Sequence, residues 1–300
     1  MAAKPICGRR QWLIALALYA VAAALLLARL GDHPPFPYNW EAYTGWRLFD
    51  DWLRSPPAFA RIFGLADGLM TESGQGPLVG APVRLGFQIA GVGLLAMRTP
   101  IALLAAAAVP LLWLVARRLT AEPAALLAPL LLAISPVYLF YGRTATIVGV
   151  SLVPELLAAL ALLGTLAAAD RERGWRWLVG LQAALIAGEY AYAPVRLLWP
   201  LALGALVAAV EIDRAERRWR AQALAVTVVA VRAFLLVVGW LTGTAGGVSA
   251  VTGYFEARGE QILAMRDPAD YAYYLRPAPG ETATSATAES ADELAWRLVR

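Results

Sequence analysis

Apolar residues occur along most of the chain in long runs that charged residues interrupt mainly at their ends. A helix that crosses the hydrocarbon core of a bilayer needs about 20 mostly apolar residues, and several runs approach that length. The stretch 83–97 contains Arg84 and Gln88 among glycines and prolines, so we interpret it as an interfacial or re-entrant helix. The pattern predicts an all-α, polytopic membrane helix bundle of about seven spans, at residues 12–30, 99–116, 123–140, 148–168, 175–189, 197–210 and 224–242.

Composition supports the membrane class and excludes several others. Of the 300 residues, 60% are apolar and 16% are charged, and the mean hydropathy is +0.58. Ordinary soluble domains are about 45–50% apolar and about 25% charged. A soluble domain and a largely disordered chain are therefore both disfavoured. With only Cys7 and His33, the chain has neither an internal disulfide framework nor a multi-histidine metal site.

Basic residues are distributed unevenly between the segments that connect the predicted spans. If the N-terminus is cytoplasmic and 83–97 does not cross, the two short outer loops hold only Arg143 and Arg196. Such asymmetry is expected because positive charge stays inside. The inner segments then hold 12 basic residues, namely Lys4, Arg9, Arg10, Arg117, Arg118, Arg171, Arg173, Arg176, Arg214, Arg217, Arg218 and Arg220.

This topology predicts a multi-pass protein of the cytoplasmic (inner) membrane. Residues 1–243 form its transmembrane domain, in which an outer loop, 31–98, carries interfacial helices. Residues 244–300 form an outer juxtamembrane segment and a flexible tail. The odd span count and the abrupt end suggest an N-terminal fragment that lacks a C-terminal part.

The outer loop offers one candidate for acid–base chemistry. Glu41 follows three prolines and lies among aromatic residues at the predicted outer interface. A carboxylate there is partly desolvated, which suits a general base. The alternative is a solvated loop acid within an aromatic belt.

Two arginines lie on the side that positive charge usually avoids. Arg143 is at the outer end of the third predicted span, and Arg196 is at the outer end of the fifth, close to Tyr190 and Tyr192. Arginine binds phosphate oxygens in a bidentate manner, and tyrosines add hydrogen-bond donors. The four side chains could bind an anionic lipid headgroup, or the arginines could simply anchor helices at the interface.

One further acid lies inside a predicted span. Glu155 is close to the outer end of the fourth span, where an ionisable group is costly and usually functional or paired. It could form an ion pair with an arginine across the bundle.

The order of these segments resembles that of the GT-C membrane glycosyltransferases, specifically the dolichyl-phosphate-mannose–protein mannosyltransferase and bacterial aminoarabinose transferase group. The resemblance covers roughly residues 10–270. Its motifs are Trp40-Glu41-Ala42-Tyr43, Gly76-Pro77-Leu78, Met97-Arg98-Thr99-Pro100, Ser135-Pro136, Tyr141-Gly142-Arg143, and Tyr190 and Tyr192 followed by Arg196 and Pro200.

The resemblance implies transfer of a hexose or pentose from a polyprenyl-phosphate donor, with inversion of the anomeric centre. It implies Glu41 as the catalytic base, Arg143, Arg196, Tyr190 and Tyr192 as ligands of the donor phosphate, and Arg98 and Glu155 as second-tier site residues. Trp40 and Gly76 stand where the family has acids or a histidine, so no cofactor or metal ligand is assigned and a divalent cation remains only an alternative.

The predicted reaction transfers the sugar to a lipid, glycan or protein acceptor at the outer face of the membrane. The predicted partners are therefore the donor, the acceptor and the bilayer, and no nucleic acid. Two alternatives stay open, namely an inactive or non-catalytic membrane protein that binds lipid phosphate, and a transporter or flippase.

Overall fold

A computed structural model describes residues 8–32, 76–168, 171–191, 195, 197–212 and 217–242. Within these residues every regular element is a helix, which confirms the all-α prediction. In chain order they are α1 (Arg9–Leu27), α2 (Gly76–Ala90), α3 (Leu94–Ala106), α4 (Ala108–Leu119), α5 (Ala124–Ile134), α6 (Pro136–Arg143), α7 (Ile147–Leu166), α8 (Arg171–Glu189), α9 (Leu198–Ile212) and α10 (Arg217–Thr242).

Each predicted span coincides with one helix or with a consecutive pair. Three helical stretches among the described residues, Arg9–Leu27, Leu94–Leu119 and Ile147–Leu166, are long and apolar enough to cross a membrane. A fourth span results if the bent pair α5 and α6 is counted as one. The helical membrane bundle is thus confirmed, and the total of seven spans stays a prediction.

Prolines explain two interruptions within these stretches. Pro110 lacks an N–H group and crowds the carbonyl of Ala106, where α3 ends. Pro136 is the first residue of α6, and Ser135 caps that helix by accepting a hydrogen bond from the Tyr138 amide at 3.5 Å. The axes of α5 and α6 differ by 57° at this break.

The prediction of one interfacial or re-entrant helix over 83–97 is wrong in its limits. The chain instead turns between α2 and α3, where Gly91 adopts a left-handed backbone with φ of 79°. Glycine accepts this conformation without a steric penalty. Gly86 keeps the two helices close, because a Cβ there would lie 1.9 Å from the Ala96 carbonyl oxygen.

The helices pack through small residues, and they bring basic segments together at one end of the bundle. Helices α7 and α8 pack extensively, with Gly164 of α7 under the Trp177 ring. The Arg118 guanidinium at the end of α4 lies 4.8 Å from the centroid of that ring. The predicted inner segments at 117–118 and 171–176 are therefore adjacent.

The chain divides into two compact units, Met1–Val231 and Arg232–Arg300. Helix α10 contributes residues to both units, and the described part of the second unit is the end of this helix. The predicted domain boundary at 243/244 lies outside the described residues.

Candidate functional site

Arg143 ends α6 and lies against the C-terminal end of α1. Its Nη2 donates a hydrogen bond to the Leu25 carbonyl oxygen at 2.7 Å. That carbonyl belongs to the last turn of α1, where helix geometry leaves the acceptors without intrahelical partners. The half-buried guanidinium also keeps a buried Nε with no hydrogen bond among the described residues. One N–H group of the Arg143 guanidinium thus binds the end of α1.

The close approach of α6 to α1 and α3 depends on Gly142. A Cβ at this position would lie 2.8 Å from Leu26 Cδ2 and 3.5 Å from the Ala105 Cβ. The buried Tyr138 strengthens the same contact, because its hydroxyl donates to the Ala105 carbonyl at 2.9 Å. The segment that carries Arg143 is therefore fixed against α1 and α3 by packing and by a hydrogen bond.

A second arginine reaches the same end of α1 from α3. Arg98 is fully buried, and its Nη1 donates to the Leu30 carbonyl at 3.0 Å. Leu30 lies just beyond α1, after Arg29, whose φ of 55° places it in the left-handed region typical of helix ends. The negative end of the helix dipole favours cations at this position. The structure thus brings the predicted residues Arg98 and Arg143 to one helix end.

Tyr190 lies directly after α8, in a turn closed by a hydrogen bond from its amide to the Ala187 carbonyl at 3.1 Å. Burial raises the pKa of its phenol above the ordinary value, and the Glu189 charge raises it further. The phenol is therefore a neutral donor at physiological pH. Helices α7 and α8 are antiparallel neighbours, so Tyr190 and the start of α7 lie toward the same end of the bundle.

Glu155 does not pair as predicted within the described part of the chain. It lies about two turns into α7, is half-buried, and follows the buried Pro154. No arginine described by the structure forms an ion pair with it. The expectation of an arginine partner across the bundle is therefore not met there.

Three predicted site residues, Glu41, Arg196 and Tyr192, lie outside the described residues. In the part that the structure describes, no group of three histidine, cysteine, aspartate or glutamate side chains is arranged to bind a metal ion. Of the predicted site residues, the structure describes Arg98, Arg143, Glu155 and Tyr190, and it brings Arg98 and Arg143 together at the end of α1.

Sequence reasoning overlooked a polar pair directly after Arg143. Thr144 and Thr146 are both buried, and their hydroxyl oxygens are 3.1 Å apart. The Thr144 hydroxyl also donates to the Tyr141 carbonyl at 3.0 Å, which closes the end of α6. Threonines just after a helix can indicate such a local bond. Arg143 and Arg98 donate to the Leu25 and Leu30 carbonyls, which are backbone groups and leave no signal in the sequence.

Comparison with known proteins adds the family. The family model described as dolichyl-phosphate-mannose-protein mannosyltransferase matches residues 74–242, more than half of the chain. No curated protein and no solved structure gives a significant match. The matched region includes Arg98, Arg143, Glu155 and Tyr190, and it begins after Glu41. This membrane-helical chain belongs to the dolichyl-phosphate-mannose-protein mannosyltransferase family.

Proposed function

We propose that the protein transfers a hexose or pentose from a polyprenyl-phosphate donor to an acceptor at the outer face of the cytoplasmic membrane. The family consists of membrane glycosyltransferases that use such donors, which supports the reaction class. The observation that carries the proposal is the placement of Arg143 at a helix end, within the region that matches the family.

Arg143 is proposed to bind the donor phosphate. Its guanidinium is oriented by the Leu25 carbonyl, while its Nε has no hydrogen bond among the described residues. Bidentate contact between arginine and phosphate requires donors in such a fixed plane. Tyr190 is proposed to add a neutral donor, and Arg196 and Tyr192 to complete the phosphate site.

The proposed reaction is a single displacement that inverts the anomeric centre. The acceptor oxygen attacks the anomeric carbon while the bond from that carbon to the phosphate oxygen breaks. Glu41 accepts the acceptor's hydroxyl proton, and the electron pair of the broken bond leaves on the polyprenyl phosphate. Arg143 stabilises the negative charge that grows on the leaving phosphate.

The outward orientation of this site is also proposed. The basic segments at 117–118 and 171–176 meet at one end of the bundle, as the contact between Arg118 and Trp177 indicates. The stretch Leu94–Leu119, formed by α3 and α4, leads from the end that contains Arg98 to this basic end. Because positive charge remains cytoplasmic, the end with Arg98 and Arg143 would face outward.

The test uses the full chain in proteoliposomes with a labelled polyprenyl-phosphate sugar and a mixture of candidate acceptors. We expect Glu41→Gln to reduce transfer by about 100-fold or more, in line with the contribution of a general base, and to leave donor binding intact. Arg143→Met should weaken donor binding itself. Arg10→Met, which removes an exposed charge at the opposite end of α1, is the matched control.

Either of two results contradicts these assignments. Unchanged transfer by Glu41→Gln would remove Glu41 from catalysis. If Arg143→Met bound the donor as tightly as Arg10→Met, Arg143 would not be a ligand of the donor phosphate.

A second candidate function is a non-catalytic protein that binds lipid phosphate. It is favoured by Trp40 and Gly76, which replace the acidic or histidine side chains of the resembling family. Binding of labelled polyprenyl phosphate without transfer to any acceptor would support this function over catalysis.

A further inference from the structure

The end of α1 is a shared structural element of the site. Leu25 in its last turn accepts from Arg143 of α6, and Leu30 just beyond it accepts from Arg98 of α3. The intervening chain is not frayed, since the Leu30 amide bonds to the Leu27 carbonyl at 3.2 Å and the Asp32 amide to the Arg29 carbonyl at 3.0 Å. A displacement of this turn therefore moves the acceptor of Arg143.

We propose that Arg98 is a positioning residue, which holds the end of α1 on α3 and thereby sets the position of Arg143 and the start of the outer loop. The inference rests on the proposed function only for its effect on sugar transfer. Arg98 acts through the Leu30 carbonyl and does not contact the donor.

Burial separates this role from that of a phosphate ligand. The Arg98 side chain has no exposed surface, whereas Arg143 is half-buried. A charged group is buried at such a position only when polar partners compensate for the lost hydration. Leu30, whose carbonyl is one such partner, is itself only 4% exposed. Arg98 is thus enclosed together with Leu30, whose carbonyl accepts its hydrogen bond.

The same two elements offer a covalent substitute for the Arg98 contact. A Cβ at Gly31 would lie 3.5 to 3.9 Å from three side-chain carbons of Leu95, which is on α3 one turn before Arg98. Positions 31 and 95 are therefore neighbours across the contact between the end of α1 and α3. Gly31→Cys combined with Leu95→Cys, in a Cys7→Ser background, is the cysteine pair chosen to bridge them, and formation of the disulfide in this parent is checked first.

The first measurement is the rate of oxidative cross-linking of this cysteine pair in membranes, with no substrate present. If Arg98 holds the turn, Arg98→Met should slow cross-linking by about tenfold or more, as loss of a hydrogen bond from a charged group allows. Arg10→Met should leave the rate unchanged. Equal cross-linking rates in Arg98→Met and in its parent would overturn the proposal.

The second measurement is polyprenyl-phosphate binding and sugar transfer by Arg98→Met, before and after the bridge is formed. A positioning role predicts that both fall in the reduced variant and that oxidation restores at least half of each. Arg98→Lys, which keeps one donor, should lose less than Arg98→Met. A bridge that forms fully but restores neither readout would overturn the proposal and assign Arg98 to the substrate.

The two measurements separate this inference from the proposed function. If the parent protein binds polyprenyl phosphate but transfers no sugar, catalysis fails as a proposal, while cross-linking and binding still decide the role of Arg98. If cross-linking is insensitive to Arg98 while the parent transfers sugar normally, the positioning role alone is refuted.

Discussion

Replacing Gly142 with alanine should loosen Arg143 without changing any charged group. The new Cβ would lie 2.8 Å from Leu26 Cδ2, and Leu26 is fully buried. Carbon atoms pack at about 3.5–4.0 Å, so α6 and α1 must separate by about 1 Å unless Leu26 rotates. A separation of that size lengthens the 2.7 Å bond from Arg143 to the Leu25 carbonyl to a distance at which no hydrogen bond forms.

The energetic effect follows from two opposing contributions. Overpacking in a filled core costs about 1–3 kcal/mol, and alanine gains about 1 kcal/mol over glycine within a helix. The expected net destabilisation is therefore about 0–2 kcal/mol, together with weaker donor binding. Gly204→Ala in α9 is the control, because a Cβ there meets no atom within 4 Å and only the helix-propensity gain remains.

The assay compares thermal unfolding in detergent and binding of labelled polyprenyl phosphate for the two alanine variants. We expect Gly142→Ala to unfold at a lower temperature than Gly204→Ala and to bind the donor more weakly. If Gly142→Ala matched Gly204→Ala in both measurements, the packing of α6 on α1 would not control Arg143.

Three further predictions concern neighbouring contacts. Gly149→Ala places a Cβ 2.1 Å from the Tyr141 carbonyl oxygen. We expect this substitution to destabilise the fold by about 3 kcal/mol or more and so to lower the yield of monodisperse protein. A normal yield would contradict the close contact. Arg118→Gln removes the guanidinium from the Trp177 ring and should destabilise the protein by about 0.5–1 kcal/mol in chemical unfolding, with an unchanged midpoint arguing against the contact. Because burial raises the pKa of Tyr190, the folded phenol holds its proton more tightly than the unfolded one, so the stability of the protein falls as the pH rises above about 10. Tyr190→Phe should reduce that fall. If the variant and the parent unfolded identically at alkaline pH, the effect would be excluded.

The hydrophobic pattern predicted the helices better than their ends. The run at 148–168 is long and uninterrupted, and it matches α7 closely. The predicted limits of the helix over 83–97 are wrong because apolar composition is similar on both sides of Gly91. Only the left-handed backbone at Gly91 shows that α2 has ended before α3 begins.

The site was only partly predictable for a physical reason. Arg143 is conspicuous in the sequence because positive charge on the predicted outer side is unusual, and the structure places it at the end of α6 against α1. The group that orients it is the Leu25 carbonyl, which every residue type possesses. Which backbone carbonyl an arginine reaches depends on which helices pack against each other. The residues next to the arginine in the sequence do not indicate that packing.

The bend at Ser135–Pro136 has a consequence for how this segment can evolve. Because α6 starts at a fixed proline and ends at Arg143, the number of residues between them sets the direction of the guanidinium. One inserted or deleted residue would rotate Arg143 by about 100° around the helix axis and shift it by about 1.5 Å. Side chains on the outer side of α6, such as the exposed Val137, are free to diverge, whereas the length of the segment is constrained. Related sequences should therefore differ in α6 by substitutions and not by insertions or deletions.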